Sequence, residues 1–293
     1  MTARFVAEVS SNHHRDLDRA FAFVETASRL GCAAVKFQLF KVDELFAPEI
    51  LAKSPQHRAR SHWELPEDFL APLAARSRDL GIAFACTPFS LRAVERLQPH
   101  VDFFKIASYE LLWDDLLRAC AATGKPVVAA TGMATLEEVV RAANVLRDAG
   151  CRDPILLHCT SGYPTPIEQC NLAAMETIRA ATHARVGWSD HSVSPAVIDR
   201  AVHRWGAEMV EFHLDLDGTG AEFSAGHCWL PKQIGPVIEA IQHGIAVDGS
   251  RGAAADGSGD KRPVEAEIDD CAWRADPSDG LRPMRTIRST WTP

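Results

Sequence analysis

The fold is decided by residues 186–216, which read VGWSDHSVSPAVIDRAVHRWGAEMVEFHLDL. An apolar run ends at Trp188, a helical pattern of apolar residues three and four positions apart follows, and a second apolar run ends at Phe212. Strand, helix and strand in this order predict two neighbouring parallel strands. His191 and His213 follow these strands, and neighbouring strands lie roughly 4.8 Å apart. Both imidazoles can therefore reach one metal ion or one substrate; the alternative is two structural histidines at strand ends.

The same alternation of strand and helix repeats along the chain and predicts an α/β fold, a closed (β/α)8 TIM barrel. An open doubly wound sheet is the alternative, but the GxGxxG turn that it would carry after the first strand is absent from EVSSNHHRD. The predicted strands are Arg4–Val9, Ala34–Leu39, Ile82–Cys86, Asp102–Ile106, Val127–Ala130, Ile155–His158, Arg185–Trp188 and Glu208–His213. The predicted helices are Leu17–Leu30, Glu67–Leu80, Leu91–Leu97, Trp113–Thr123, Leu136–Ala149, Leu172–Ala181, Pro195–Trp205 and Lys232–Ala246.

Two regions fall outside this repeat. Residues 41–66 form an insertion after the second strand, which we expect to be a lid or rim loop. Residues 1–246 are predicted to form the catalytic barrel, and residues 247–293 a linker and C-terminal tail that packs on the barrel or on a partner subunit. Within the linker, residues 248–260 are rich in Gly, Ala and Asp, so we expect this part to be mobile.

Composition narrows the class of partner and the compartment. The net charge is −8 without a run of basic residues, which argues against nucleic acid and acidic membrane surfaces as partners. The eight cysteines form no CxxC pair, and most lie within apolar patterns, as expected for free thiols in a reducing compartment. No stretch approaches eighteen apolar residues, so the sequence predicts a cytoplasmic protein without a membrane segment.

Polar residues cluster where the predicted strands end, which is where barrel enzymes hold their chemistry. Lys36 and Lys105 are the most informative, because each closes an apolar strand where a buried lysine is costly unless it meets an anion. Two lysines converging with hydroxyl donors on one barrel mouth favour a phosphate or carboxylate site. A structural Lys–Glu pair inside the barrel is the alternative for either lysine.

His191 and His213 are the predicted metal ligands. Two neutral imidazoles with water and substrate oxygens suit Mn²⁺, Fe²⁺, Co²⁺ or Zn²⁺. Asp190 or Glu211 is expected to orient the rings from behind. His13 with His14, and also His227, are weaker candidates, because His227-Cys228 lacks a second ligand pair at zinc spacing.

Eight motifs, in order and in register, resemble the catalytic barrel of the sialic acid synthase (N-acetylneuraminate synthase) family. They read VAEVSSNHHRD, AAVKFQLF, ACTPFS, FFKIASYE, VVAATGMATLEEV, LLHCTSGYPTP, VGWSDHS and VEFHLDLD, and the resemblance runs from about residue 5 to residue 213. The resemblance implies the condensation of phosphoenolpyruvate with an N-acylated hexosamine, such as N-acetylmannosamine, to a sialic-type acid and phosphate. It also implies a divalent metal, most often Mn²⁺, with Mg²⁺, Co²⁺ or Zn²⁺ as alternatives.

The resemblance carries roles over to individual residues. It implies that Lys36, Thr87, Lys105, Ser108, Ser161 and Ser189 hold phosphoenolpyruvate, that His191 and His213 bind the metal, and that Glu110 contacts the acceptor sugar. Glu222 would be a second acidic contact to that sugar. The predicted catalytic residues are thus Lys36, Lys105, Glu110, His191 and His213, and the predicted substrate contacts are Glu8, Asn12, Gln38, Thr87, Ser108, Thr131, Ser161, Tyr163, Ser189, Asp190 and Glu222.

The sequence also departs from the family pattern. The C-terminal antifreeze-like domain, which brings an arginine to a partner's active site, is not expected here, and the tail arginines are candidate replacements: Arg274, Arg282, Arg285 and Arg288. Ala130 stands where the family often has a serine that contacts phosphoenolpyruvate, and GTGAEFSAGHCWLP replaces a Gly-Pro-Asp segment after His213.

These departures leave alternatives open. A synthase using a different aldehyde acceptor, a Schiff-base aldolase acting through Lys36 or Lys105, and a sugar-binding barrel without turnover each remain. A homodimer, through the barrel or the tail, is open as well.

Overall fold

A closed barrel of eight parallel strands forms the centre of the computed structural model, which describes residues 3–245 and 249–293. Each strand pairs with the next along the chain, and β1 closes the ring against β8, with Glu8 beside His213. The predicted (β/α)8 fold is confirmed. The strands are β1 Arg4–Glu8, β2 Ala34–Leu39, β3 Ala83–Pro88, β4 Phe103–Ile106, β5 Val127–Ala130, β6 Ile155–His158, β7 Arg185–Asp190 and β8 Met209–His213.

Helices surround this barrel because each carries one apolar face. In the first, α1, Ala20, Phe23, Val24 and Ala27 are buried at spacings of three and four, and the side chain of Asp16 caps the first turn. The main helices are α1 Leu17–Arg29, α5 Leu70–Asp79, α6 Leu91–Leu97, α7 Asp114–Ala122, α8 Leu136–Asp148, α9 Ala174–Thr182, α10 Pro195–His203 and α12 Pro231–Gln242. Short helices lie in the connections: α2 Val42–Leu45, α3 Pro48–Lys53, α4 Pro55–Ala59, α11 Ala221–Ser224 and α13 Arg285–Arg288.

Several predicted boundaries move by one to four residues. The helix expected over 67–80 starts as a 3-10 turn at Glu67–Phe69, and β7 runs on to Asp190. The last barrel helix ends at Gln242; Ala246, where we expected its end, lies outside the described residues. No helix in the described part of the chain is long and apolar enough to cross a membrane.

The strands alternate between two environments, which decides where each side chain points. Residues facing the helices join the large apolar core, for example Val35 and Phe37 of β2 and Phe212 of β8. Residues facing the barrel axis form a separate small apolar layer at the amino-terminal end of the strands, made of Val6, Ala34, Val128, Ile155, Leu157 and Met209. Two positions further along β2 and β8, the axis-facing residues are Lys36 and Glu211. The carboxyl-terminal half of the interior is therefore polar.

The C-terminal tail crosses the rim of the barrel at this polar end. Its backbone bonds to the loops of the barrel, with Leu136 N donating to Lys261 O at 2.9 Å and Ala275 N donating to Tyr109 O at 2.8 Å. Asp248, at the start of the segment expected to be mobile, lies outside the described residues, but Gly249–Ala255 forms a 3-10 helix and Gly259 N donates to Asn171. The division of the chain at residue 246 stays a prediction.

The insertion between β2 and α5 lies beside the tail. Its three short helices, α2 to α4, are followed by a 3-10 turn at Arg60–Trp63. Two backbone hydrogen bonds join it to the tail: Arg282 N donates to Leu45 O, and Ala47 N donates to Arg282 O, both at 2.9 Å. His57 of the insertion stacks on Trp273 of the tail, with ring centroids 5.0 Å apart. Insertion and tail together thus form one layer over the barrel mouth.

Candidate functional site

Four charged side chains meet on the barrel axis because each occupies a strand position that faces the interior of the barrel. Lys36 forms an ion pair with Glu8, and its Nζ lies 3.8 Å from a Glu211 oxygen. Lys105 Nζ lies 2.9 Å from that same Glu211 oxygen, Oε1. The lysine–glutamate pair that the sequence left as an alternative is therefore present for both lysines.

Burial sets the electrostatics of this cluster. Removal from water disfavours the carboxylate of Glu211, yet Lys105 and Lys36 outweigh that effect and lower its pKa to about 2. Burial likewise disfavours the ammonium of Lys36, but Glu211 and Glu8 raise its pKa. Both groups are therefore charged at neutral pH. Lys36 also donates a hydrogen bond to Thr87 Oγ1 at 3.2 Å, and Gln38 donates one to Glu8 at 2.6 Å.

An inner cavity of about 60 Å³ opens above these charges. The two lysines and the two histidines line this one cavity, as expected if they form a single site. Nine of the predicted site residues line it: Lys36, Gln38, Thr87, Lys105, Ser108, Tyr163, Ser189, His191 and His213. Ala130 and Cys159 complete the wall beside Ser108.

Six predicted substrate contacts do not line this cavity; Glu8 pairs with Lys36 on the barrel axis and Glu222 lines a second chamber, which leaves four. Asp190 has the opposite strand parity to Ser189 and His191, so its carboxylate points outward and accepts hydrogen bonds from the indoles of Trp188 and Trp229. The other three are also engaged or turned away: Thr131 donates to Leu157 O, Asn12 donates to Leu214 O, and Ser161 Oγ is buried without a hydrogen-bond partner among the described residues. Their role as substrate contacts stays a prediction.

The two predicted metal ligands lie side by side, with ring centroids 5.3 Å apart. His191 Nδ1 lies 2.7 Å from the carbonyl oxygen of Thr160, and burial lowers the pKa of His191, which keeps the ring neutral. His213 Nδ1 lies 2.9 Å from Glu222 Oε2. Burial opposes the charged form of His213, but hydrogen bonds with Cys228 and Glu222 raise its pKa to about 10.

The expectation that Asp190 or Glu211 orients the histidines was wrong. Asp190 faces the tryptophans, and Glu211 is held by the two lysines. The carbonyl of Thr160 and the carboxylate of Glu222 occupy the orienting positions instead. Strand parity excludes Asp190 in advance, because neighbouring residues of one strand cannot face the same side of a sheet.

Sequence reasoning gave too little weight to His227 and Cys228. One potential ligand atom from each of His213, Glu222, His227 and Cys228 lies within 4.8 Å of every other. The signal that could have found them is the pair of adjacent metal-ligand types in GHCW, directly before the helix that starts at Pro231.

An outer chamber of about 350 Å³ lies above the inner cavity, and His213, Gln38 and Tyr163 line both. Its remaining wall comes from the loops after β1, β3, β4 and β8, from the insertion and from the tail, including Arg60 and Arg282. Arg282 forms an ion pair with Glu110, its Nε lying 2.7 Å from Oε1, and its guanidinium lies 4.2 Å from the ring centroid of Tyr109.

Glu110, a predicted catalytic residue, pairs with Arg282 and lines neither the inner cavity nor the outer chamber. Its Oε2 is buried without a hydrogen-bond partner in the described part of the chain. Burial raises the pKa of Glu110, although the Arg282 guanidinium opposes that shift. Of the four tail arginines, Arg282 lines the chamber, whereas Arg274 pairs with Glu138, and Arg285 and Arg288 pair with Asp279.

The fold and this mouth define the chain as a (β/α)8 barrel with a charged, enzyme-like cavity at the carboxyl-terminal ends of its strands. The NeuB family model matches residues 23–252, and the chain belongs to that family. This result confirms the resemblance to the sialic acid synthase family.

Individual relatives agree with that assignment. The chain is 38% identical to an uncharacterized protein of Methanocaldococcus jannaschii over 215 residues, which cover 72% of this chain and 62% of the relative. It is 31% identical over 288 residues to the N,N'-diacetyllegionaminic acid synthase of Legionella pneumophila, covering 92% of this chain and 77% of that protein. The crystal structure of the spore coat polysaccharide biosynthesis protein SpsE of Bacillus subtilis matches with a TM-score of 0.80 and 28% identity, covering 93% of this chain and 77% of that one. The chain spans 62% and 66% of the lengths of the Methanocaldococcus protein and of curated SpsE.

Proposed function

We propose that this protein condenses phosphoenolpyruvate with the aldehyde form of an N-acyl hexosamine, giving a nonulosonic acid and inorganic phosphate. The observation that carries the proposal is the inner cavity, where two charged lysines and two histidines share one wall. Membership of the family and similarity to a protein named as a legionaminic acid synthase support the reaction class.

The two lysines bind the anionic substrate. An ammonium group has three N–H donors, and Glu211 takes one from Lys105, which leaves donors for phosphate or carboxylate oxygens. The hydroxyl groups of Thr87, Ser108 and Ser189 lie in the same wall. Ala130 removes one hydrogen bond that a serine would supply, at a cost of about 1 kcal/mol.

The acceptor sugar occupies the outer chamber, whose volume of about 350 Å³ falls in the usual range for small-molecule sites. Arg282, which lines the chamber and pairs with Glu110, contacts the sugar, and Glu110 positions its guanidinium. The barrel mouth thereby aligns the enol carbon of phosphoenolpyruvate with the aldehyde carbon, which replaces a collision of two dilute reactants by one oriented encounter.

A divalent ion fits the mouth by the chemistry of its donors, because imidazole nitrogens and a carboxylate meet at His213. The resemblance names His191 and His213 as the ligands, and an ion held there would polarise the aldehyde oxygen. Thr160 fixes the His191 ring so that its Nε2 is left for a ligand.

Phosphate release tests the proposal. The protein is incubated with phosphoenolpyruvate, Mn²⁺ or Zn²⁺, and a panel of N-acyl hexosamines, and the products are identified by mass spectrometry. We expect equimolar phosphate and a nonulosonic acid with at least one acceptor. No release with any acceptor contradicts the proposal, and binding of phosphoenolpyruvate without turnover favours the sugar-binding alternative.

Chemical trapping of a Schiff base distinguishes the aldolase alternative from the proposed reaction. Incubation with pyruvate and borohydride yields a covalent adduct on Lys36 or Lys105 only if a Schiff base forms. The proposed reaction uses both lysines as partners for anions, and each is paired with a carboxylate on the barrel axis, so we expect no adduct.

A further inference from the structure

A short segment of the tail, residues 261–267, crosses the barrel rim between the loops that follow β5 and β6. On the side of β5, Lys261 Nζ donates a hydrogen bond to Ala134 O at 2.6 Å. On the side of β6, Ala266 N donates a hydrogen bond to Gln169 Oε1 at 2.8 Å. The segment is therefore bonded to both loops at once.

Glu267, the last residue of this segment, joins the two loops through a single oxygen atom. Its Oε1 accepts hydrogen bonds from Met133 N at 2.6 Å and from Ser161 N at 2.8 Å. Its Oε2 accepts one from Val264 N at 3.1 Å, and the residue is only 1% exposed. A buried carboxylate is costly unless several donors satisfy it, and these three amide groups do so. Because Met133 and Ser161 belong to different loops, the carboxylate holds the two loops at a fixed separation.

Both of these loops contact Ser108, whose side chain lines the inner cavity. Gly132 N, next to Met133 in the chain, donates a hydrogen bond to Ser108 Oγ at 3.0 Å. Cys159 Sγ, from the loop that contains Ser161, lies 3.2 Å from the same oxygen. A hydroxyl group has one hydrogen and two lone pairs, so the bond from Gly132 leaves the Ser108 O–H for a substrate oxygen or for the sulfur.

Close packing at Gly132 links the position of Ser108 to the positions of the two loops. A Cβ atom at residue 132 would overlap Ser161 Oγ and would lie 2.9 Å from Ser108 Oγ. Only glycine permits such an approach of the backbone to two side chains. A shift of either loop therefore displaces the Ser108 hydroxyl group.

We propose that Glu267 is a positioning residue for phosphoenolpyruvate, which holds the loops after β5 and β6 together and thereby directs the Ser108 hydroxyl into the inner cavity. This role rests on the proposed function, since it presupposes that Ser108 binds phosphoenolpyruvate. Glu267 does not line the cavity itself, so it acts through Ser108 and not by contact with the substrate. The tail thus serves both substrates, through Glu267 at the inner cavity and through Arg282 at the outer chamber.

Binding of phosphoenolpyruvate to the full chain, measured by calorimetry with Mn²⁺ present and no acceptor, tests the proposal without turnover. We expect E267A to raise the Kd for phosphoenolpyruvate about tenfold, which is about 1.4 kcal/mol. E267Q can keep both loop amides on its carbonyl oxygen, so its Kd should stay within about threefold of the unmodified protein. E267D, which is one methylene shorter and cannot keep both amides, replaces E267A if that variant does not fold.

Asp276 provides a matched control on the same tail. It is another buried carboxylate that accepts hydrogen bonds from two backbone amides, those of Ser278 and Arg285, but both donors lie within the tail. D276A should leave the Kd for phosphoenolpyruvate within about twofold, a difference of under about 0.5 kcal/mol. A general loss of tail stability would instead weaken binding equally in D276A and E267A.

A double variant shows whether Glu267 acts through Ser108. E267A should change the Kd by less than about twofold when S108A is already present, because the two residues then belong to one coupled unit. In turnover, E267A should raise the KM for phosphoenolpyruvate about tenfold and leave the KM for the acceptor within about twofold. A purely structural role would not separate the two substrates in this way.

The outcomes distinguish this inference from the proposed function. Unchanged binding in E267A, equal losses in E267A and D276A, or the same loss from E267A with and without S108A overturns the inference. Phosphoenolpyruvate that binds without phosphate release from any acceptor contradicts the proposed function alone, since the Kd values are measured without turnover. An unmodified protein that binds no phosphoenolpyruvate contradicts both.

Discussion

The inner cavity and the outer chamber differ in how the chain builds them. Strand ends line the inner cavity, and the register of a closed barrel fixes the positions of Lys36, Lys105 and Glu211. The outer chamber takes its wall from several separate connections, and its Arg282, in the tail, pairs with Glu110 in the turn after β4. The comparison teaches that strand register positions the inner cavity, whereas contacts between distant connections position the outer chamber.

Loss of Lys105 should have the largest effect, because this residue belongs to the inner cavity, whose positions the strand register fixes. K105M leaves Glu211 buried and deprived of its nearest cation, so we expect a loss of about 3–5 kcal/mol in the free energy of unfolding. We also expect phosphate release to fall at least a hundredfold, the equivalent of about 3 kcal/mol. Urea denaturation and phosphate release measure the two effects.

A double variant separates stability from chemistry at this position. K105M/E211Q removes both charges and should recover most of the lost stability while remaining inactive, since Lys36 keeps its pair with Glu8. K232M, at an exposed lysine, is the control and should change neither quantity. Recovery of activity in the double variant would show that Lys105 does not hold substrate.

A change at Arg282 tests the outer chamber. R282A removes a charge-assisted contact worth about 1.5–3 kcal/mol, so we expect the KM for the acceptor to rise about tenfold to a hundredfold. The KM for phosphoenolpyruvate should stay within about twofold, because Arg282 does not line the inner cavity. R285A, on the same tail but paired with Asp279, is the control. Equal effects on both substrates would mean that the two cavities are not independent.

A change at Trp273 weakens the contact between the insertion and the tail without removing a charge. W273A removes the stacking on His57, worth about 0.5–1.5 kcal/mol beyond buried area. We expect faster hydrogen exchange in residues 41–66 and in the tail, with unchanged exchange in the barrel strands. I268A, at an exposed tail residue, should leave the exchange as it is. Protection that persists in W273A would show that backbone hydrogen bonds alone hold the layer.

The smallest expected effect concerns the far end of the tail. Hydrogen bonds from Arg288 hold the pKa of Asp279 well below its usual range, so the pair stabilises the fold above the unfolded pKa of about 3.9 and loses that effect as the pH falls. D279N should lower the free energy of unfolding by about 0.5–1 kcal/mol at pH 7. The difference between D279N and the unmodified protein should shrink below about pH 4 in denaturant titrations. A constant difference would assign the effect to packing instead.

Much of the inner cavity could be predicted from the sequence, because strand ends and alternation are local properties. Lysines that close apolar runs and histidines that follow two strands were sufficient to place both pairs at one rim. The alternation of side chains along β7 also excludes Asp190 from the cavity, although it was predicted as a substrate contact. The glutamate partners of the lysines were left as an alternative, since pairing depends on which strands are neighbours across the barrel axis.

The outer chamber could not be predicted in the same way. His227 and Cys228 reach His213 only because the chain reverses after β8, and no periodicity marks that reversal. The choice of Arg282 among four tail arginines depends on where a segment without regular structure crosses the rim. Such positions follow from tertiary contacts between parts of the chain distant in sequence.

The two backbone hydrogen bonds that join residue 282 to residues 45 and 47 have a consequence for access to the chamber. Because both are made by the same residue, one through its N–H and one through its C=O, the tail cannot lift away from the entrance unless it breaks both or takes the insertion with it. In the proposed reaction, admission of the sugar and departure of the larger nine-carbon product would share a single gating motion. A covalent cross-link between these two segments should slow product exit more than it slows the entry of phosphoenolpyruvate.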